Sequence, residues 1–493
     1  MGGDVTTGAK RSRGSTRTDF AIVLALTIIG LILRGMVSRG LWLDEAISIS
    51  QAKLPFNEML ARLAADDVHP PLHHAVLWIT VRLLGTGELA ARAPSIIAGM
   101  MLIPTLYAVG RSLYDRRVGI VAAALGTVAP IAIWYSQEAR MYSIFMLLCL
   151  IAVWAQVCAS RTGRPGPWIA YTLATAAMIW TQYFGVLQAV VQQMAFCIVF
   201  WQQHKRGNGR RVGLAWGAST FAILLLLIPL AQLLQSQYHA YTDRSGGLAL
   251  PSQAGLGVSH RDQLSVYAII ANAIWGLWGY HANSTMAQIV ALWPLGMLLV
   301  LALLGRGYSR LSALLLAIAA MPALGLFAVG MVQRNLFELR YFAGAVPVGL
   351  LLVARFASSA TNRSARGLMV GLLVATLAVG LADQQLNGAN PRLYDFRGAL
   401  SMISARARPG DVVVYEPQFI GPVVSYYAAE LEAKPLDAGL TSPASKHRVF
   451  LLGSFLDEPG SAGQVGDALH QLDESRHRAQ EFRRPNVRVW MYR

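Results

Sequence analysis

The chain has 493 residues, of which 55% are hydrophobic and only 14% are charged, and its mean hydropathy is +0.44. Soluble proteins of ordinary composition carry about 25% charged residues, so the composition excludes that class and predicts an integral membrane protein. The net charge of +16 is not read as nucleic-acid binding, because the basic residues follow the predicted membrane topology.

Largely apolar runs recur along the chain, most of them near the roughly 17–25 residues that a membrane-spanning helix needs. The run at 165–203 is about twice this length and contains the polar sequence Gln182-Tyr183-Phe184-Gly185, so it predicts a helical hairpin. Two short runs reach the required length only if Arg34 and Arg355 extend to the membrane surface. About 11 spans result: 20–33, 93–110, 118–137, 141–160, two within 165–203, 212–238, 282–305, 311–333, 341–354 and 367–382.

The distribution of basic residues predicts the orientation. With the N-terminus in the cytoplasm, alternate loops hold 18 of the 42 Lys and Arg residues and only three acids, as the positive-inside rule requires. No small-residue cleavage pattern follows the first apolar run, so a retained helix is expected rather than a signal peptide. The odd number of spans places the tail outside the cytoplasm. The expected location is the plasma membrane, with multiple spans.

The chain divides into a basic cytoplasmic segment at 1–18, a polytopic body at 19–383 and an extracytoplasmic tail at 384–493. The first outer loop of the body, 36–92, is long and contains apolar segments at 54–65 and 72–84. Counting the second segment as a span would reverse every later loop. Both segments therefore predict helices that lie on the outer membrane surface.

The polar tail alternates short runs of β-type residues with helix-like stretches. The strands are expected at 411–415, 448–452 and 487–492, and the helices at 421–430 and 465–476. The predicted fold class is an all-α polytopic membrane protein of about 11 transmembrane helices with a small C-terminal extracytoplasmic α/β domain. All three cysteines lie in apolar runs, so no disulfide framework is expected.

Carboxylates are the most informative residues, because none occurs between Ala139 and Thr242. Asp44 and Glu45 directly follow the first span. These two acids could simply be solvated at a helix end. Alternatively, one of them is a general base, because a carboxylate near an apolar interface gains the basicity to deprotonate a hydroxyl. Adjacent residues on a helix point about 100° apart, so only one is expected to face a reacting centre.

Three further segments at the predicted outer face carry polar residues. The sequence Asp66-Asp67-Val68-His69-Pro70-Pro71 is either a turn or part of a divalent cation site. Residues 134–143 form either a polar hairpin cap or a site in which Arg140 binds phosphate and Glu138 either orients Arg140 or binds the acceptor. Arg334 and Arg340 flank another outer junction and suit either a phosphate clamp or lipid headgroup anchors.

Together these motifs resemble glycosyltransferase family 39, which includes protein O-mannosyltransferases and lipid A aminoarabinose transferases with the C-type membrane glycosyltransferase fold. The resemblance rests on LWLDEAISIS at 41–50, VHPPL at 68–72, ARAPS at 91–95, YSQEARMY at 135–142 and RY at 340–341. It spans roughly residues 41–341 and covers the tail less well.

The resemblance implies a hexosyl- or pentosyltransferase that moves a sugar from a polyprenyl-phosphate donor to an acceptor hydroxyl on a glycan, lipid or protein, with inversion. By this analogy Asp44 is the general base and Glu45 lies beside it in a positioning role. The candidates for binding the donor phosphate are Arg140, Arg334 and Arg340. The candidates for binding or orienting substrate are His69, Glu138, Tyr142 and Arg92. No cofactor is required, and a divalent metal ion stays an open alternative.

Acceptor recognition is expected to fall to the loop at 235–282 and to the tail, because no separate carbohydrate-binding module is evident. Two other classes of function compete with a transferase. A transporter or lipid flippase, whose outer loops only gate, predicts ionisable residues within the membrane and tolerance of Asp44 replacement. A receptor or scaffold predicts that the tail is essential while Asp44 is dispensable.

Overall fold

The computed structural model describes residues 6–204, 209–245, 309–332, 339–360, 362–388, 390, 393–436, 447–456 and 459–493. The membrane body contains these helices: α1 (Thr6–Gly35), α2 (Leu43–Lys53), α3 (Phe56–Asp66), α4 (Pro71–Leu84), α5 (Glu88–Leu113), α6 (Arg116–Val128), α7 (Pro130–Ser136), α8 (Tyr142–Thr162), α9 (Pro165–Thr181), α10 (Gly185–His204), α11 (Gly209–Ser245), α12 (Arg310–Val332), α13 (Ala345–Ser358) and α14 (Arg363–Leu386).

The chain is a multi-pass membrane protein. Helices occupy ten of the eleven predicted spans, and the eleventh, 282–305, lies outside the described residues. The predicted hairpin is confirmed, because α9 ends at Thr181 and α10 begins at Gly185. Among the described residues, five helices are long and apolar enough to cross a membrane, and α6 with α7, bent by 56°, makes a sixth. The total of about 11 crossings stays a prediction.

Arg34 does not extend to the membrane surface, so that expectation was wrong. Its side chain is fully buried and donates hydrogen bonds to the carbonyls of Gly126 (3.0 Å) and Thr127 (3.4 Å) and to the Ser136 hydroxyl (3.2 Å). Pro130 has no N–H, so the break between α6 and α7 leaves carbonyls without partners within the helix. The arginine satisfies these buried acceptors.

The first outer loop folds into three helices, α2, α3 and α4. The helices predicted at 54–65 and 72–84 are confirmed, each within two residues. Gln237, near the end of α11, donates from Nε2 to the carbonyls of Leu63 (3.0 Å) and His69 (3.1 Å), and its Oε1 accepts from the Tyr183 hydroxyl (2.8 Å). The membrane body therefore holds the turn between α3 and α4.

The tail forms one five-stranded sheet with helices, which confirms the predicted α/β character. Its elements are α15 (Phe396–Ser404), β1 (Val412–Glu416), α16 (Gly421–Tyr427), β2 (Glu432–Pro435), β3 (Val449–Ser454), α17 (Pro459–Ser475), β4 (Arg478–Arg484) and β5 (Val487–Tyr492). The strand order is β2-β1-β3-β5-β4, where β1 is parallel to β2 and β3, and β5 is antiparallel to β3 and β4. The two unpredicted strands, β2 and β4, are the polar edges of the sheet.

Close packing around Arg34 makes Gly99 a sensitive position. A Cβ atom at Gly99 would lie 1.9 Å from the Ser136 hydroxyl and 2.9 Å from Arg34 Nε. We expect Gly99→Ala to lower the free energy of unfolding by roughly 1–3 kcal/mol, because a well-packed interior does not accept added volume. Thermal unfolding in lipid nanodiscs measures the effect. Gly371→Ala is the control, since nothing lies within 4 Å of its added Cβ. Equal melting temperatures for both variants would contradict the prediction.

Candidate functional site

Helix α2 presents three faces to three different parts of the protein. Asp44, Ser48 and Gln51, spaced by four and three residues, share one face. Glu45 lies on a second face, towards α5. On the third face, Leu43 and Ala46 are buried in the same apolar cluster as residues of the tail sheet. The direction of each carboxylate therefore follows from its position on one short helix.

Asp44 lies between two arginines and remains partly exposed. Its Oδ2 atom is 3.3 Å from Nη1 of Arg340 and 3.9 Å from Nη2 of Arg140, and 15% of its side chain is exposed. Arg340 belongs to a short 3₁₀ turn, Leu339–Phe342, in the connection between α12 and α13. The next residue, Tyr341, stacks on Phe184, with ring centroids 4.3 Å apart, and anchors this turn. Two cations and one accessible carboxylate thus converge at one point.

Arg140 is buried and held by hydrogen bonds from several directions. It donates from Nη1 to the Ser48 hydroxyl (2.8 Å), and its Nη2 lies 2.9 Å from Nε2 of His69. His69 Nδ1 lies 2.6 Å from Oδ1 of Asp67. Because arginine only donates, we assign His69 as neutral, with Nε2 accepting and Nδ1–H donating to Asp67. The turn at 67–69 therefore orients the guanidinium beside Asp44.

Glu45 is fully buried and takes no part in this open cluster. Its carboxylate accepts hydrogen bonds from Arg92 (2.7 and 2.8 Å) and from the backbone N–H groups of Trp42 and Ala139 (2.8 Å each). Burial raises the pKa of Glu45, but the charge and hydrogen bonds of Arg92 outweigh it, so the pKa lies below its usual range. Glu45 and Arg92 join the first outer loop to α5 and to the loop before α8.

Glu138 lies in a separate pair with Arg39. The Arg39 Nη2 atom is 3.6 Å from Oε1 of Glu138, and its guanidinium stacks 3.6 Å from the ring centre of Trp134. Burial raises the pKa of Glu138 to about 6, although Arg39 acts in the opposite direction. Tyr142 is buried, with its ring 4.6 Å from that of Tyr135.

Among the sequence candidates, the structure brings Asp44, Arg140, Arg340 and His69 together. Glu45 with Arg92, and Glu138 with Arg39, form two buried or nearly buried pairs outside this cluster. Arg334 lies outside the described residues. The roles assigned to all these residues from the sequence stay predictions.

Sequence reasoning missed the tail residues that hold the first outer loop. The Tyr427 hydroxyl donates to Oε1 of Glu88 (2.7 Å) and accepts from the N–H of Leu41 (2.6 Å). Arg397 donates to Oε2 of Glu88 (3.1 Å) and to the carbonyl of Ser38. More than 300 positions separate these partners, so no local pattern could have identified them.

The residues around Asp67 and His69 do not fit a metal site. Both ring nitrogens of His69 are engaged, by Asp67 and by Arg140, and a buried arginine disfavours a cation nearby. Over the ranges that the structure describes, no three His, Cys, Asp or Glu residues are arranged to hold a metal ion.

The buried ion pair generates a prediction about stability. Glu45→Gln removes the carboxylate that binds Arg92 directly and leaves this buried cation with only Glu88, 3.7 Å away, so we expect a loss of roughly 3 kcal/mol in the free energy of unfolding. Thermal unfolding of the purified protein in nanodiscs tests this. Glu58→Gln, an exposed acid of the same loop, is the control and is expected to leave the melting temperature nearly unchanged. A melting temperature for Glu45→Gln equal to that of the control would refute the assignment.

The raised pKa of Glu138 predicts a pH dependence. The folded protein binds its proton more tightly than the unfolded chain, with a pKa of about 6 against a usual 4.5. Ionisation of Glu138 therefore lowers the free energy of unfolding. This loss is absent below pH 4.5, grows as the pH rises from 4.5 to 6, and reaches about 2 kcal/mol above pH 6. We expect Glu138→Gln to be more stable than wild type at pH 7 and nearly equal at pH 4.5. A stability difference that does not vary with pH would contradict this.

Comparisons with known proteins agree with this architecture. Residues 68–231, a third of the chain, match the family of dolichyl-phosphate-mannose-protein mannosyltransferases. No curated protein sequence matches the chain significantly. The match includes α4 and the loop at 137–141, and so contains His69, Arg92, Glu138 and Arg140.

Solved structures share the fold over nearly the whole chain. The apo structure of ArnT from Cupriavidus metallidurans is 14% identical, with a TM-score of 0.57 and 98% coverage of both chains. ArnT bound to undecaprenyl phosphate is 13% identical, with a TM-score of 0.54 and coverage of 97% and 98%. The Archaeoglobus fulgidus oligosaccharyltransferase in complex with Zn and sulfate is 12% identical, with a TM-score of 0.51, over 84% of this chain and 62% of the other.

The motifs read from the sequence, the family match and the fold agree with one another. The predicted resemblance to glycosyltransferase family 39 is confirmed: residues 68–231 match a family of mannosyltransferases, and the multi-pass chain shares the fold of the ArnT structures over nearly its whole length.

Proposed function

We propose that the chain transfers a sugar from a polyprenyl-phosphate donor to an acceptor hydroxyl outside the cytoplasm, with Asp44 as general base. The observation that carries this proposal is the placement of Asp44, partly exposed between Arg140 and Arg340. ArnT, which shares the fold, has been solved with undecaprenyl phosphate, and this supports a polyprenyl-phosphate donor.

The reaction is a displacement at the anomeric carbon of the sugar. Asp44 accepts the proton of the acceptor hydroxyl, and the hydroxyl oxygen forms the new bond to the anomeric carbon. The bond to the phosphate oxygen breaks on the opposite side, and the polyprenyl phosphate leaves as an anion. Attack opposite the leaving group inverts the configuration, by the same geometry as in inverting hydrolysis with an alcohol in place of water.

The arginines have different environments and so suit different roles. Arg340 is partly exposed, with 16% of its side chain accessible, and is the better placed to bind the departing phosphate, where a cation stabilises developing negative charge. Arg140 has only 3% of its side chain exposed and is occupied by Ser48 and His69. We assign Arg140 to orienting Asp44, with a contribution to the positive field at the phosphate.

The supporting residues keep this geometry rigid. Glu45 is engaged by four hydrogen-bond donors, so it suits a positioning role and not proton transfer. The turn at 67–69 fixes Arg140, and Gln237 holds that turn from α11. The predicted topology places the cluster at the outer membrane surface, where a donor with its tail in the bilayer presents its sugar and phosphate.

Replacement of Asp44 tests the proposal. With radiolabelled polyprenyl-phosphate sugars and a cell-envelope acceptor fraction, we expect Asp44→Asn to lose about 10²–10⁴-fold in transfer rate, since the amide accepts no proton. Asp66→Asn, an exposed acid of the same loop, is the matched control and is expected to transfer normally. Donor binding by the variant and its melting temperature establish that it is folded. Undiminished transfer by Asp44→Asn would remove its role as the base, whereas no transfer at all by the folded wild-type protein would favour the transporter or flippase.

A further inference from the structure

A small pocket outside the Asp44 cluster opens on the tail domain. Its volume is about 230 Å³, and one side is formed by the hairpin of β4 and β5 with Arg483, Arg484 and Arg488. The other side is apolar and includes Tyr394 and Phe455. Drug-sized ligands occupy sites of about 300–1,000 Å³, so this pocket suits a single sugar or acidic group and not an extended lipid.

The hairpin side of the pocket carries uncompensated positive charge. Arg483 pairs with Glu481 (2.8 Å), whereas Arg484 and Arg488 are exposed and form no ion pair with any residue in the described part of the chain. Arginine binds phosphate and carboxylate groups in a planar, bidentate manner, so the arginines that line this pocket suit an anionic ligand.

Two residues that line the pocket have a left-handed backbone conformation, and one of them is strained. Phe455 and Asn486 have φ values of 55° and 52°, and they are the only non-glycine residues with positive φ in the described ranges. Asparagine tolerates this conformation, but it is unfavourable for a bulky residue such as phenylalanine. Strained residues persist where the surrounding structure enforces them, and they concentrate at binding sites. Both of these residues line the same pocket.

An aromatic cluster connects the pocket to the helix that carries Asp44. The Trp42 ring lies 4.9 Å from that of Tyr394 and 5.9 Å from that of Phe455, measured between centroids. Trp42 directly precedes α2, so it is two residues from Asp44. A ligand in the pocket would contact Tyr394 and Phe455, the same aromatic residues that contact Trp42.

We propose that this pocket binds an acidic group, a phosphate or a carboxylate, on a saccharide acceptor. The inference rests on the proposed function and names the chemical class of its acceptor. The arginines bind the anion, and the apolar side packs against the sugar ring. The donor is a less suitable occupant, because its phosphate must remain joined to a lipid tail in the bilayer, whereas the pocket belongs to the polar tail domain.

Binding of a soluble probe tests the site directly. We would titrate glucose 1-phosphate and, separately, glucose into the full-length protein in nanodiscs. Wild type is expected to prefer the phosphorylated sugar, and the double variant Arg484→Gln/Arg488→Gln to bind it about tenfold or more weakly. The control is Arg408→Gln/Arg493→Gln, which removes the same charge from exposed tail positions outside the pocket. An equal loss in both double variants, or none in the first, would overturn the proposal.

Transfer assays separate this inference from the proposed function. With a matched pair of phosphorylated and neutral oligosaccharide acceptors, we expect the Arg484/Arg488 variant to raise KM about tenfold for the phosphorylated acceptor only. Transfer to the neutral acceptor does not need the pocket and so reports the underlying reaction. If wild type transferred sugar to neither acceptor, the proposed function would be wrong, and not only this inference. If the variant changed only the affinity for undecaprenyl phosphate in the nanodisc, the pocket would bind the donor headgroup, and the acceptor assignment would fall.

Discussion

The buried pair of Glu45 and Arg92 is the interaction on which the geometry of the outer cleft depends. Removing two charges from water is unfavourable, and their attraction offsets this only when further hydrogen bonds satisfy the remaining atoms. Here the backbone N–H groups of Trp42 and Ala139 donate the further hydrogen bonds to the Glu45 carboxylate. The ion pair is therefore stable only in one arrangement of the loops that carry these residues. Because Glu45 is fixed towards α5, its neighbour Asp44 must point about 100° away, into the cleft.

The tail sheet supplies the second support of the same helix. Leu43 and Ala46 are buried against it, while Tyr427 and Arg397 bind Glu88, which lies 3.7 Å from Arg92. Helix α2 is therefore fixed between the membrane helices and the sheet, and the orientation of Asp44 depends on both. The tail acts as a structural part of the site as well as a separate folded unit. Damage to its core should therefore disturb the position of Asp44 even where no tail residue lies in the Asp44 cluster.

Sequence reasoning succeeded where the signal is local. Apolar runs located the membrane helices, and short runs of β-type residues located the strands β1, β3 and β5 to within two residues. Sequence reasoning failed for β2 and β4, because polar edge strands such as Arg478–Arg484 contain few residues of that type. It named Asp44, His69, Arg140 and Arg340 as candidates, and the structure brings these four together, but their roles stay predictions. The residues alone left open which of the two adjacent acids, Asp44 or Glu45, faces a reacting centre. That choice depends on Arg92 and Ala139, which contact Glu45 from 47 and 94 positions away.

The buried position of Arg34 has a consequence for biogenesis. The arginine belongs to the first helix to be synthesised, yet the carbonyls that receive its hydrogen bonds come from Gly126 and Thr127, about ninety residues later. Until those residues emerge, Arg34 has only the carbonyl of Gly30, in its own helix, as a partner. Because Arg34 is the second-last residue of α1, its side chain can meanwhile extend to the bilayer surface. We therefore expect this end of α1 to reach its final place only after α6 and α7 have inserted.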